Sequence, residues 1–421
     1  MTTTGTTLTG SRVSADVVRA VNGLTRRWAA TTQGGTVLTA AGVWPLLAFL
    51  ADGATGPART ELAGALGMPA DQAAGAARQL LGALAAFPGV DTAEGLWTKR
   101  TLELRPEWEA GLPAEAHGVL TGDVPADQRA LDTWAAERTG GLIGRMPVPV
   151  TEDTELVLAG ALTMRTQWLR PFDEVPLRTA YAPWAAVERL GLRRTSAVLD
   201  RIDVADTPDG WVTRLKVLGT DALDVHLLLG EEGMAPGRAL AAGVDLLHRP
   251  RTVVPGSRLP YGEAGPGLRV VKERSAWRRP PTLDVVTAAY EVTAHHDLLA
   301  RHELFGLTTA RDAHARQGHF PGVSAFPLAI GSAGQSALAR FGALGFRAAA
   351  VTAFGAIGCA APPALRYVTT RISAAFDRPF GFLALHRHSR LVLAAGWVTD
   401  PLPYPEYRDD EYVNDAWEND E

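Results

Sequence analysis

The stretch that most constrains this chain is 345–363, GFRAAAVTAFGAIGCAAPP. It is nearly uncharged, is built of Ala, Val, Thr and Gly, and carries the chain's single cysteine, Cys359. A core segment of this length needs side chains large enough to fill a layer at interior density, and a period that turns them inward. These residues offer neither, so something other than core packing keeps them small. Taken alone, the segment before it, SALARFGALGFRAAA, also reads as an Ala-rich helix with Leu338, Phe341, Leu344 and Ala348 on one face. Gly342 and Gly345 weaken that helix.

The chain has 421 residues, enough for one large domain or two to three small ones, and 46% of them are hydrophobic against 21% charged. A net charge of −5 with scattered arginines lacks the basic stripe that nucleic acid requires. Residues 1–30 have no basic start followed by an apolar stretch, so a cytoplasmic protein is expected, with export by another route left open. One cysteine excludes an internal disulfide and a cysteine-based metal site. No apolar run reaches the roughly 18 residues that cross a bilayer, so no membrane partner is expected.

Periodicity predicts helices over 14–30, 57–67 and 128–138, and a short strand running into a buried helix over 36–50. Strands are expected over 93–106, 155–168, most of 198–260, and 282–293. Residues 296–307, HDLLARHELFGL, read as a helix closed by Gly306, and 380–398 as two strands joined by HRHSR. Helices cluster early and strands late, which predicts a single mixed α+β domain over 1–401. The remainder, 402–421, is read as an acidic, disordered tail.

Enzyme motifs are absent: there is no G-x-S-x-G, no G-x-x-x-x-G-K-[ST] and no H-E-x-x-H. GEAGPG at 262–267 lacks a strand-then-helix context and reads as a turn. His295, His296 and His302 sit at helix-like spacing, but no carboxylate or cysteine completes a metal shell. His386 and His388 read as exposed strand-end residues. Cys359 has no neighbour in sequence that supplies a base or lowers its pKa, so a nucleophilic role would need distant partners.

Taken together, these segments resemble the serpin family over about 14–401. VLTAAGVWPLLAFLADGATGPARTELAGALG resembles the family's N-terminal strand and helix pair, and AEGLWTKRTLELRPEW a sheet strand and following turn. LDTWAAERTGGLIGRM, LVLAGALTMRTQWLRPFD and the closing hairpin FDRPFGFLALHRHSRLVLAAGWVTDP match further segments in the family's order. On these matches the chain is read as a bacterial-type member with a divergent hinge. The resemblance implies a large central β-sheet with additional sheets, about nine helices, and an exposed reactive-centre loop at about 345–372. It also implies a monomer without cofactor or metal, acting as a suicide inhibitor of a serine or cysteine protease. The protease cuts the loop, which then enters the sheet as a strand and drags the acyl-bound protease with it. The alternative is a non-inhibitory binding or scaffold protein whose loop is only a substrate or is not cut. An enzyme using Cys359 is a third class.

ALGFRAAAVT aligns with the family's hinge, placing it at Gly345, Phe346, Arg347, Ala348, Ala349, Ala350, Val351 and Thr352. That role explains the composition: an entering strand needs small inward side chains and no proline, which cannot donate to a ladder. None lies between Gly345 and Ala361. Family spacing puts the scissile bond at Cys359–Ala360, with Arg366–Tyr367 as the alternative in so long a loop. The family's acidic pair is replaced by Ala343 and Leu344, and its small hydroxyl residue by Phe346. Phe346 is expected to slow insertion by overpacking, at about 1–3 kcal/mol. At the sheet-opening region the chain has Thr39 and Gly42 in early serine positions, Gly160 for an asparagine and Gln335 for a histidine.

Overall fold

The structure is a computed structural model, and it describes residues 13–112, 117–141, 143–146, 148–248, 253–314, 318–346 and 366–405. Among them are nine α-helices: α1 (Ala15–Ala29), α2 (Ala40–Gly53), α3 (Gly56–Leu66), α4 (Ala70–Ala85), α5 (Pro106–Glu109), α6 (Val124–Arg138), α7 (Ala182–Ala185), α8 (Pro236–Asp245) and α9 (His302–Phe305). The strands are β1 (Thr36–Leu38), β2 (Val90–Lys99), β3 (His117–Leu120), β4 (Leu156–Met164), β5 (Thr166–Gln167), β6 (Asp173–Leu177), β7 (Arg189–Ser196), β8 (Ile202–Thr207), β9 (Gly210–Leu218) and β10 (Leu223–Gly230). They continue with β11 (Val253–Pro255), β12 (Gly262–Gly265), β13 (Leu268–Ser275), β14 (Thr282–Ala288), β15 (Tyr290–Asp297), β16 (Gly334–Phe341), β17 (Gly345–Phe346), β18 (Tyr367–Ala375), β19 (Phe380–His386) and β20 (Val392–Val398).

Local chemistry explains the early helices. Ser14 caps α1 by accepting from the Val17 N–H, and Val17, Val21, Leu24 and Trp28 form its buried stripe. Thr39 caps α2 in the same way, through Gly42. The α2 helix is apolar nearly all round and is buried under the sheets. Gly67 ends α3 with φ 71°, a left-handed conformation that glycine adopts without strain.

The strands form four ladders. A seven-stranded sheet has the order β1-β20-β19-β10-β9-β8-β11, and every residue of β10 is buried. A six-stranded sheet runs β12-β13-β18-β14-β7-β6. The other two ladders are β15-β16-β17-β5 and β3-β2-β4. Since β5 follows β4 after Arg165 alone, these two ladders are leaves of one central array.

Several expectations are corrected. His295 and His296 lie on β15, because the strand runs on to Asp297 and only a short helix, His302–Phe305, follows. The ladder with β16 takes only the first two residues of 296–307; Leu299–Arg301 is a 3-10 turn leading into His302–Phe305, and Gly306 closes the helix in the left-handed conformation as expected. Residues 334–341 are strand, not helix. Pro236–Asp245 is a helix inside the region read as strand. GEAGPG is two-thirds strand: Gly262–Gly265 pairs with the start of β13. The domain does not stop at 401, since Leu402 N–H donates to the Ala289 carbonyl and Tyr404 N–H to that of Glu188. The tail beyond 405 lies outside the described residues.

Candidate functional site

The site is the seam between the two leaves. β4 pairs with β2 from Val90↔Met164 to Thr98↔Leu156, and β16 pairs with β15 from Tyr290↔Phe341 to Asp297↔Gly334. At the top of the seam sits β17, with Phe346 opposite Phe341 on one side and Thr166 on the other. It is antiparallel to both neighbours, so a strand continued from Gly345 and Phe346 would run down between β16 and β4. Below Phe346, no strand among the described residues separates them. At the lower end, a cleft of about 570 Å³ lies between the starts of β4 (Leu156, Val157) and β16 (Gly334). Val43, Leu47 and Leu50 of α2 line it from beneath.

The seat of β17 is tight. Trp168 donates its backbone N–H to the Leu344 carbonyl and its indole N–H to that of Gly342, both at 2.9 Å. Phe172 N–H donates to the Ala343 carbonyl at 2.9 Å, and Gly342 N–H to that of Gly345 at 3.0 Å. Phe341 is fully buried, stacked on Tyr290 with ring centroids 5.3 Å apart and 4.8 Å from Trp168. Phe346 is 5% exposed within the same core. A Cβ on Gly345 would lie 2.3 Å from the Thr166 carbonyl oxygen, so this position requires glycine. Burial pushes the Tyr290 phenol well above its ordinary pKa and keeps it neutral. Sequence reasoning missed Trp168, Phe172 and Tyr290, whose only signal is aromatic character near the hinge.

At mid-seam, Thr39 N–H donates to Gln335 Oε1 at 3.0 Å and Gln335 Nε2 donates to the Thr39 carbonyl at 2.7 Å, all buried. This exchange ties β16 to the start of α2. Gly42 donates to the Thr39 hydroxyl, and a Cβ on it would touch Leu162 of β4 at 3.7 Å. Thr39, Gly42 and Gln335 are therefore brought together. Gly160 is exposed on β4, in register with Glu94, and takes no part in that exchange. His296 donates through Nε2 to the Val37 carbonyl oxygen at 2.8 Å, which fixes the proton on Nε2, and the Thr36 hydroxyl lies 3.4 Å from the same nitrogen. Burial, then Arg301 and His295, lowers its pKa against the opposing pull of Val37.

Arg347, Ala348, Ala349, Ala350, Val351, Thr352, Cys359 and Ala360 lie outside the described residues. The loop expected over 345–372 is shorter at both ends, because Gly345–Phe346 and Tyr367–Ala375 are strands. The alternative bond Arg366–Tyr367 adjoins a paired residue, since Tyr367 is in register with Ser275. His386 is half-buried rather than exposed, with its ring stacked on Phe87 at 3.8 Å. No group of three metal-ligating side chains occurs among the described residues.

Comparison with known proteins agrees with this geometry. The model of the family Serpin (serine protease inhibitor) matches residues 20–181. Serpin-Z6C of Oryza sativa subsp. japonica is 28% identical over 400 residues, spanning 88% of this chain and 92% of that protein. The rice non-inhibitory serpin-10 is 29% identical over 154 residues, 34% of this chain and 39% of its own. Human thyroxine-binding globulin complexed with thyroxine superposes with a TM-score of 0.68 at 18% identity, covering 93% of this chain and all 100% of that one. Cleaved Serpin 42Da gives 0.66 at 15% identity, covering 95% and 100%. The curated relatives are plant proteins, which gives the bacterial-type expectation no support.

Proposed function

Because the chain belongs to the serpin family, we propose that it is a suicide inhibitor of a serine or cysteine protease, in which cleavage of the loop lets β17 lengthen into a full strand between β4 and β16. The observation that carries this reading is the seat of Gly345 and Phe346, already paired on both sides at the mouth of the seam. Continuing that register, each loop residue meets a fixed partner. Thr352 arrives opposite Gly160 and Gln335, and Phe354 opposite Leu158 and Ala333, at the level of the apolar cleft. Even-numbered residues follow Phe346 inward: Ala348, Ala350, Thr352, Phe354 and Ala356. Four of the five are small, and the one bulky ring coincides with the space lined by Val43, Leu47 and Leu50.

Each ladder bond gained along the two open edges contributes about 1 kcal/mol net. The advancing strand carries whatever is esterified at its cut end, so a protease acylated at Cys359 is pulled down the seam. Trapping then requires insertion to outrun deacylation, and a tenfold change in that race is only about 1.4 kcal/mol of barrier. The packed position of Phe346 means its burial precedes cleavage and adds nothing to this barrier. The second reading, a non-inhibitory binding protein, is favoured by Ala343 and Leu344 at the hinge and by the similarity to the rice non-inhibitory serpin-10.

The deciding experiment is incubation with a panel of serine and cysteine proteases, followed by denaturing electrophoresis and mass spectrometry of the released peptide. A complex that survives denaturation, with a peptide beginning at Ala360, is the expected result. Clean cleavage without a complex overturns inhibition in favour of the second reading.

A further inference from the structure

β18 follows the loop directly and lies between two neighbours. On one side β14 pairs with it in parallel, but only from Thr282↔Arg371 to Val286↔Ala375. On the other, β13 pairs with it along its whole length, from Ser275↔Tyr367 to Leu268↔Ala374. Tyr367, Val368, Thr369 and Thr370 therefore have β13 as their sole ladder partner among the described residues. Cross-braces reinforce this arrangement. Arg371 reaches Asp284 of β14 at 2.6 Å and Glu273 of β13 at 4.0 Å, and the Tyr261 hydroxyl lies 3.0 Å from that of Thr370. Lys272 stands 5.0 Å over the Tyr261 ring. The hairpin turn is itself anchored, since Thr213 of β9 donates to the Pro266 carbonyl at 2.7 Å and Ala375 N–H to that of Gly267 at 2.8 Å.

Tether length gives this clamp a purpose. Residues 347–365 connect β17 to the residue before β18. Filling the seam from Thr166 down to Leu156 takes ten residues, about 33 Å at 3.3 Å each. The ten that remain, 357–366, span at most about 35 Å. They would have to climb back the same distance and then reach Tyr367. That residue lies further out again, because β18 runs parallel to β14, whose end leads through Ala289 to Tyr290 at the level of Phe341. An uncut loop can fill the seam only if β18 peels from its sheet.

We propose that the β12–β13 hairpin is a lock that holds β18 in place and so makes strand insertion conditional on cleavage. This inference rests on the reading that the seam accepts the loop. The test replaces residues 260–277 with a short Gly-Ser link and follows uncut protein at raised temperature as it converts to a form of higher Tm, with mass spectrometry verifying the intact chain. Removal of the lock is expected to shorten the half-time at least tenfold; a half-time within twofold of the parent overturns it. If the shortened protein fails to fold, Val271→Pro and Lys272→Pro replace it. Consecutive N–H groups of β13 point to opposite sides, and beyond Val270 the outer edge has no partner in β12. One proline thus cuts a bond to β18 and the other faces the open edge. The two variants should differ severalfold in conversion rate, and equal rates matching the parent overturn the lock. Addition of a synthetic peptide of residues 347–358 separates the two ideas. If it raises the parent's Tm while the shortened protein stays unconverted, the lock is wrong and the seam reading stands. No effect of the peptide removes both.

Discussion

The two ends of the loop are held by opposite means. Its beginning is a two-residue strand, Gly345–Phe346, wedged between β16 and β5. Its end enters a nine-residue strand, β18, paired with β13 along its length and with β14 from Arg371 onward. The first end can grow, because open strand edges continue below it. The second cannot retreat without breaking a paired, cross-braced strand. That asymmetry is what the proposed trapping mechanism needs, since it would leave a cut loop one direction of travel.

The comparison breaks most severely at β18. Ile372 is fully buried between Val270 and Leu283, so Ile372→Ala should cost about 2–5 kcal/mol of unfolding free energy by denaturant titration. Gln335→Ala should cost about 2 kcal/mol, because it strands the buried Thr39 N–H and carbonyl. Unlike Ile372→Ala, it should also speed amide exchange selectively in β16. If Phe354 enters the seam only after cleavage, as the proposed mechanism requires, Phe354→Ala should leave the uncut protein's stability within about 0.5 kcal/mol. After cleavage of the loop, the same change should reduce the gain in Tm. An equal gain in both proteins would mean that the ring never reaches the cleft.

The most diffuse effect is a pH dependence, spread over the range below about 6.5. His226 of β10 is buried without a partner for Nδ1, and burial, then Arg214 and Lys216, holds its pKa well below 6.5. His296 at the seam is lowered chiefly by burial. Both bind a proton less readily in the folded chain than in the unfolded one, where the ordinary value is 6.5, so stability is full above that pH and falls as the pH drops below it. Each histidine contributes at most about 1.4 kcal/mol per pH unit. Thermal melting from pH 7.5 to 5 should show this fall, and His296→Gln should flatten part of it.

Much of this arrangement is legible in the residues. The hairpin 380–398, the capped helices α1 and α3, and the strand β4 announce themselves through period and punctuation. The small, proline-free run after Gly345 has the composition that the proposed mechanism asks of an entering strand. The seam is not legible, since it lies between β4 and β16, which are far apart in sequence and meet only through β17. The lock was hidden for another reason. LRVVKERS carries charges on its exposed side, and GEAGPG reads as a turn, although Pro-Gly between two alternating runs is the signal that would have disclosed a hairpin. His295 and His296 were misplaced because the ladder with β16 runs on to Asp297, just ahead of the helical turns over 299–305 that the leucines mark.

The most direct test of the central claim is hydrogen exchange on the protein before and after the loop is cut between 352 and 365. The account predicts that amides of β4 and β16 slow by more than tenfold on cleavage, together with a rise in Tm, while those of β18 change little. Unchanged exchange in both β4 and β16 would mean that the seam does not take the loop, and would contradict the mechanism at its root.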